Sequence, residues 1–190
     1  SYDKGPLNIY FRTDLLHEDI LSKGAINYGN YKAIDQRYST DRFTNQLQGA
    51  YTFSKKLQLA ATVAYTDYKR STRTTRHDFE KNTDELTTGE GEQDISKFNS
   101  FVFRTTVQYQ LSNKVSLQPG IDINREAANG PRIANNPVIT DYAAFVSAEV
   151  KLGSKLNIRP GLRFVKNSVY NAPPVIPSIN TKFIISKKFD

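Results

Sequence analysis

Apolar and polar residues alternate with a period of two along much of this chain. Leu57, Leu59, Ala61, Val63 and Tyr65 fall on one side of an extended segment, with Gln58, Ala60, Thr62, Ala64 and Thr66 on the other. Phe101, Phe103, Thr105, Val107, Tyr109 and Leu111 oppose Arg104, Thr106, Gln108 and Gln110. Val115, Leu117, Pro119, Ile121 and Ile123 oppose Ser116, Gln118, Gly120, Asp122 and Asn124. The same holds for Val146, Ala148, Val150 and Leu152. It holds again for Leu156, Ile158, Pro160, Leu162 and Phe164 against Asn157, Arg159, Gly161 and Arg163. Strand side chains point alternately to opposite faces, and helical spacing fits these segments less well. Residues 43–53, 101–111 and 142–152 predict strands of eleven residues each. Soluble strands cluster near ~5–6 residues, whereas a tilted strand needs about 9–11 to cross a bilayer.

A short turn repeats between these segments. Its copies are Phe53-Ser54-Lys55-Lys56-Leu57, Leu111-Ser112-Asn113-Lys114-Val115, Leu152-Gly153-Ser154-Lys155-Leu156 and Ile185-Ser186-Lys187-Lys188-Phe189. Three residues between apolar flanks predict a tight hairpin. The opposite connections are long and polar, at residues 23–40, 70–99, 126–140 and 167–177. Short turns at one end and long loops at the other are the asymmetry of outer-membrane barrels. Tyr51, Phe53 and Tyr109 flank the short turns, and Tyr65, Tyr68, Phe101 and Phe164 lie toward the long loops. Two aromatic levels bracketing an aliphatic band match interfacial girdles, although Tyr and Phe are also good strand residues. Pro119 and Pro160 each precede glycine, four residues into a strand, which predicts a bulge or a wide ladder site.

The expected fold is all-β, with about eight long antiparallel strands in up-and-down hairpins. Leu57, Leu59, Val63, Val107, Leu117, Ile121, Val150, Ile158 and Leu162 are the candidate lipid-facing residues. Arg104, Gln108, Gln118, Asp122, Glu149, Arg159, Arg163 and Lys182 are the candidate lumen-facing ones.

Composition changes this picture little. The 190 residues hold no cysteine, so disulfides and thiolate metal sites are excluded. A mean hydropathy of −0.56 is compatible with a barrel, because only alternate strand residues meet lipid. No apolar run is long enough for a transmembrane helix, and Ser1-Tyr2-Asp3-Lys4 has no signal-peptide character. The net charge of +7 invites a nucleic-acid reading. The turn lysines Lys55, Lys56, Lys114, Lys155, Lys187 and Lys188 account for much of it, spread along a rim. Nucleic-acid binding needs basic and aromatic residues together on one exposed face, and they are not arranged so here.

Several segments resemble the barrel of TonB-dependent receptors, particularly the Bacteroidota type. They include Tyr31-Lys32-Ala33-Ile34-Asp35-Gln36-Arg37-Tyr38, Ala64-Tyr65-Thr66-Asp67-Tyr68-Lys69-Arg70 and Gln93-Asp94-Ile95-Ser96-Lys97-Phe98. Gly130-Pro131-Arg132-Ile133, Asp141-Tyr142-Ala143-Ala144-Phe145 and Ile158-Arg159-Pro160-Gly161-Leu162-Arg163 continue the likeness. So does Asn167-Ser168-Val169-Tyr170-Asn171-Ala172-Pro173-Pro174, followed by Ile176-Pro177-Ser178-Ile179-Asn180. The resemblance implies one segment of a barrel of about 22 strands around a plug. It implies that the plug, the TonB box and the C-terminal strands lie outside residues 1–190, and that no closing aromatic ends the chain at Phe189-Asp190. It further implies energised uptake of a scarce solute, such as a ferric siderophore, cobalamin or an oligosaccharide. The implied partners are TonB, the plug, outer-membrane lipid or lipopolysaccharide, and the solute. The implied place is the outer membrane of a Gram-negative bacterium. The lumen-facing residues would then touch plug or solute, or simply pair across strands.

No catalytic constellation, cofactor motif or metal set is evident, so no enzyme is expected. His17 beside Glu18 and Asp19 reads as the solvated top of a strand. Lys69, Arg70, Arg73, Arg76 and His77 form a basic cluster before an acidic stretch of Asp78, Glu80, Asp84, Glu85, Glu90, Glu92 and Asp94. The two can pair across the hairpin. Alternatively, the basic residues can hold lipopolysaccharide phosphates, or Arg70, Arg73 and Arg76 can draw an anionic ligand to the mouth. Two rival architectures are a small autonomous outer-membrane barrel with a structural or adhesion role and a soluble β-sandwich that binds a ligand.

Overall fold

The computed structural model describes residues 2–171 and 173–184. They form ten strands. These are β1 (Tyr2–Lys4), β2 (Leu7–Ser22), β3 (Lys32–Ser54), β4 (Leu57–Asp78), β5 (Thr83–Leu86), β6 (Ile95–Gln110), β7 (Val115–Asn129), β8 (Val138–Leu152), β9 (Leu156–Asn167) and β10 (Val175–Phe183). Nine follow one another across a single sheet in the order β1-β2-β3-β4-β6-β7-β8-β9-β10, and β5 pairs with β4 alone. Every pairing is antiparallel, so the sheet is an up-and-down meander of eight long strands with the three-residue β1 at one edge.

The strands are longer and the loops shorter than expected. β3 and β4 run for 23 and 22 residues. Residues 32–40 and 70–78, expected in loops, are paired with each other through Lys32↔Asp78 to Thr40↔Arg70. Residues 95–99, 126–129, 138–140 and 175–177 also lie in strands. Alternation of apolar and polar residues marks a strand only where its two faces meet different surroundings. Where both faces are polar, backbone hydrogen bonds define the strand, and Ser71, Thr72, Thr74 and Thr75 suit extended backbone by propensity.

The short turns do tie neighbouring strands. At the third, Leu152 faces Leu156 across three residues, and Gly153 takes φ +71°, which a side chain would strain. The first is tighter: Ser54 pairs with Leu57, and the register shifts between Thr52 and Ser54. The fourth copy, residues 185–189, lies outside the described residues. An unforeseen turn at Gly5 and Pro6 joins β1 to β2. Pro119 and Pro160 produce ladder gaps without a bulge. The β6–β7 pairing skips from Thr106↔Gly120 to Tyr109↔Leu117, and β8–β9 skips from Ser147↔Gly161 to Val150↔Ile158, with register unchanged. Each proline lacks one N–H but keeps its other edge paired, to Val146 and Ile179 respectively.

This sheet has no conventional core. Ala33 and Ala143 are the buried apolar residues among those described. Phe11, Leu15, Leu47, Ile121, Tyr142, Leu162, Phe164 and Ile179 are all exposed. The register puts them together on one face, with Leu57, Leu59, Val63, Val107, Leu117, Val150 and Ile158. Among the described residues no second sheet covers either face, and no strand joins β10 back to β1 or β2. The described residues show neither rival arrangement. A sandwich buries its apolar face against a second sheet, and a small autonomous barrel closes on itself.

Candidate functional site

The face opposite the apolar band carries the polar chemistry. Arg104, Gln108, Gln118, Asp122, Glu149, Arg159, Arg163 and Lys182 all share it, because the register keeps their strand positions in phase. At its centre Asp122 is 8% exposed at its side chain. One of its oxygens, Oδ2, accepts Nη2–H bonds from Arg104 at 2.7 Å and from Arg163 at 3.0 Å. Arg104 is the cross-strand neighbour on β6, whereas Arg163 lies two strands away on β9. Ala143 occupies the intervening position on β8, and its small side chain lets the ion pair pass over it.

Two glycines shape the surroundings. A Cβ on Gly120 would overlap the Phe145 ring and the Thr105 carbonyl oxygen, so the ring lies against bare backbone. The Arg163 guanidinium then sits 5.9 Å from that ring's centroid. Gly161 likewise leaves space beside the Ser178 hydroxyl. Nearer the short turns, Arg159 donates to Glu149 at 2.7 Å. These two line a cleft with Asn180 and Lys182. Gln108 stands across from Gln58, and Gln118 across from Ser147.

The basic cluster is split by strand alternation. Arg70 and Arg76 take the polar face, and Arg73 takes the other. Arg70 lies 4.7 Å over the Tyr38 ring, and Arg76 stands opposite Glu85. Arg73 stands opposite Arg37, in a cleft of about 290 Å³ with Asp35 and Asp84. The three arginines therefore do not form one patch. Of the five basic residues, His77 is hydrogen-bonded to the acidic stretch, its Nδ1 lying 2.7 Å from Asp84 Oδ1. Asp78 instead meets Lys32 at 3.2 Å, and Asp94 meets Arg132 at 2.5 Å.

Two other arrangements escaped sequence reading because they need the register. Tyr68 is on the polar face, not in an outer girdle, and packs 5.8 Å from Phe98. Both line an apolar cleft of about 310 Å³ with Ile139 and Pro137. His17 contacts Asp41 at 2.7 Å and Asp19 at 3.6 Å, while Glu18 points to the opposite face. The hydrogen bond and charge of Asp41, with the charge of Asp19, hold the exposed His17 above the ordinary histidine range. The Ser39 hydroxyl donates to Asp19 and lowers its pKa. At the tip of β4, backbone N–H groups of Lys81 and Glu80 and the Lys32 ammonium lower that of Asp78. Among the described residues no three His, Asp or Glu side chains converge as metal ligands would.

A single meander with one uncovered apolar face and one polar, clefted face is the wall of a large barrel. A family model described as "TonB dependent receptor-like, beta-barrel" matches residues 2–184. The chain belongs to this TonB-dependent receptor-like β-barrel family. Members of the TonB-dependent receptor family are outer-membrane transport proteins of Gram-negative bacteria and not enzymes. No curated protein matches the chain. The family's strands cross the membrane, so the lack, among the described residues, of a helix long and apolar enough to do so does not bear on it.

Proposed function

We propose that this chain is barrel wall in a receptor that takes up a scarce solute, a ferric siderophore, cobalamin or an oligosaccharide, with energy delivered through TonB. The exposed apolar face carries this reading. A band of Leu, Ile, Val and Phe side chains open to the outside is favourable against lipid and costly against water. The face of Arg104, Asp122 and Arg163 then lines the lumen, where solute and plug pass or rest. Further strands pair with the outer edges of β2 and β10, because unpaired backbone in a bilayer costs several kcal/mol per group. A plug and a TonB-contacting segment belong to the same receptor in this reading. The long hairpin tips, from Asp78 to Asp94 and around Arg132, stand outside and meet the solute first.

An antibody against residues 80–94 tests the reading in source cells. The expected band is several times heavier than this 21.5 kDa chain, lies in the outer-membrane fraction and migrates differently after boiling. A soluble band near 21.5 kDa overturns it. Loss of TonB in the same cells should abolish uptake of the solute without removing the band.

A further inference from the structure

The two clefts that flank the buried Asp122 share both of its arginines. The upper one, of about 540 Å³, also holds Asn124, Glu126 and Asp141. The lower one, of about 440 Å³, adds Thr106, Gln118, Ser147 and Ser178 to Arg104 and Arg163. Charge and hydrogen bonding differ sharply between them. In the upper cleft, Glu126 and Asp141 accept from the side-chain amides of Asn124 and Asn167, at 3.2 and 2.7 Å. The lower cleft has hydroxyl and amide groups and no carboxylate. Asp122 bonds both guanidiniums, Glu126 and Asp141 stand on the upper side alone, and no carboxylate lines the lower cleft that the two arginines face. Arg104 and Arg163 remain 58% and 39% exposed at their side chains. Each commits one nitrogen to Asp122, and among the described residues no acceptor meets their other N–H groups.

We propose that Arg104 and Arg163, braced by Asp122, form an oxyanion-binding station in the lower cleft, which takes a carboxylate or phosphate group of a solute. The proposal deepens the transport reading and rests on it for the solute's route. Fixed guanidinium forks bind such groups by paired, charge-assisted hydrogen bonds. The brace places both cations before the ligand arrives, so little side-chain freedom is lost on binding. Phe145, seated on Gly120, holds Arg163 from the other side. The neighbouring hydroxyl and amide groups suit the uncharged polar part of the same solute.

Arginine-directed labelling of the full-length protein in outer-membrane vesicles tests this directly. Phenylglyoxal modification of each arginine is followed by peptide mass spectrometry, with citrate, inorganic phosphate or uncharged triethyl citrate present. At about ten times the dissociation constant, citrate or phosphate should slow modification of Arg104 and Arg163 about tenfold. Triethyl citrate should not, and Arg12 and Arg132 serve as controls. Asp122→Asn should lose the protection while the boiled and unboiled gel bands still differ. Equal rates with and without both anions overturn the station, as does equal slowing at every arginine. Failure to label Arg104 and Arg163 under any condition also overturns it, because a protein group then fills the cleft. A receptor whose uptake is TonB-dependent but whose arginines are unprotected loses the station alone. A protein absent from the outer membrane loses the transport reading itself.

Discussion

Replacing Ile121 by arginine puts a charge at the middle of the apolar face. On β7 that face runs from Val115 to Arg125, ten residues further on. At about 3.4 Å per residue and a tilt of about 45°, this spans roughly 24 Å of depth, close to the ~25 Å apolar band of a barrel. Arg125 on β7, Lys166 on β9 and Asp67 on β4 mark the upper limit, because all three lie on the same face. Ile121 is about 14 Å above Val115 by the same geometry, near the middle of that face. Its cross-strand neighbours are Thr105 and Ala144, which cover little of it, and 50% of it is exposed. A midplane arginine on a lipid face costs about 2–4 kcal/mol. Gln108→Arg is the matched control, because it adds the same side chain to the polar face opposite Gln58. The full-length protein is refolded into lipid bilayers, and the folded fraction is read by gel mobility against guanidinium. Ile121→Arg should lower stability by about 2–4 kcal/mol and Gln108→Arg by less than about 0.5 kcal/mol. Equal costs, or a neutral Ile121→Arg, would refute the assignment of this face to lipid.

Gly120→Ala should cost about 1–3 kcal/mol in the same assay, since the added methyl meets the Phe145 ring and the rigid Thr105 carbonyl. Combining it with Phe145→Ala should recover the ring's share and not the carbonyl's, and strict additivity would show that the two do not touch. Thr74 is fully buried, and its hydroxyl has no partner among the described residues. Thr74→Val should therefore be neutral or stabilise by about 1 kcal/mol, and a loss larger than that contradicts the packing described. The raised pKa of His17 stabilises the fold below about pH 6.5, its ordinary unfolded value, and this is lost as pH rises through the higher folded value. The lowered pKa values of Asp19 and Asp78 act oppositely: their contribution is present above about pH 4 and lost as pH falls through the folded values. Guanidinium midpoints from pH 5 to 9 should therefore fall for the native protein and flatten for His17→Gln; parallel curves would exclude the His17–Asp41 pair as the cause.

Much of the wall was legible in the chain itself. Alternation from Leu57 to Tyr65 and from Val115 to Ile123 identifies strands and sorts side chains onto two faces, since strand geometry has a period of two whatever the partner. The lysine turns locate one rim, because tight connections need local chemistry only. Above the apolar band this signal stops. Residues 32–40 and 70–78 read as loops, yet they pair in full. Hydrogen bonds hold them there, and hydrogen bonds leave no trace in a pattern of hydrophobicity. Register and side-chain packing decided the rest. Arg70 and Arg73, three residues apart, look like one patch in sequence and lie on opposite faces. Arg104, Asp122 and Arg163 come from three strands and meet because the register brings them together over the small Ala143. Local periodicity carries the face of each residue. Cross-strand pairing carries which residues become neighbours, and that depends on contacts between parts of the chain that no local pattern encodes.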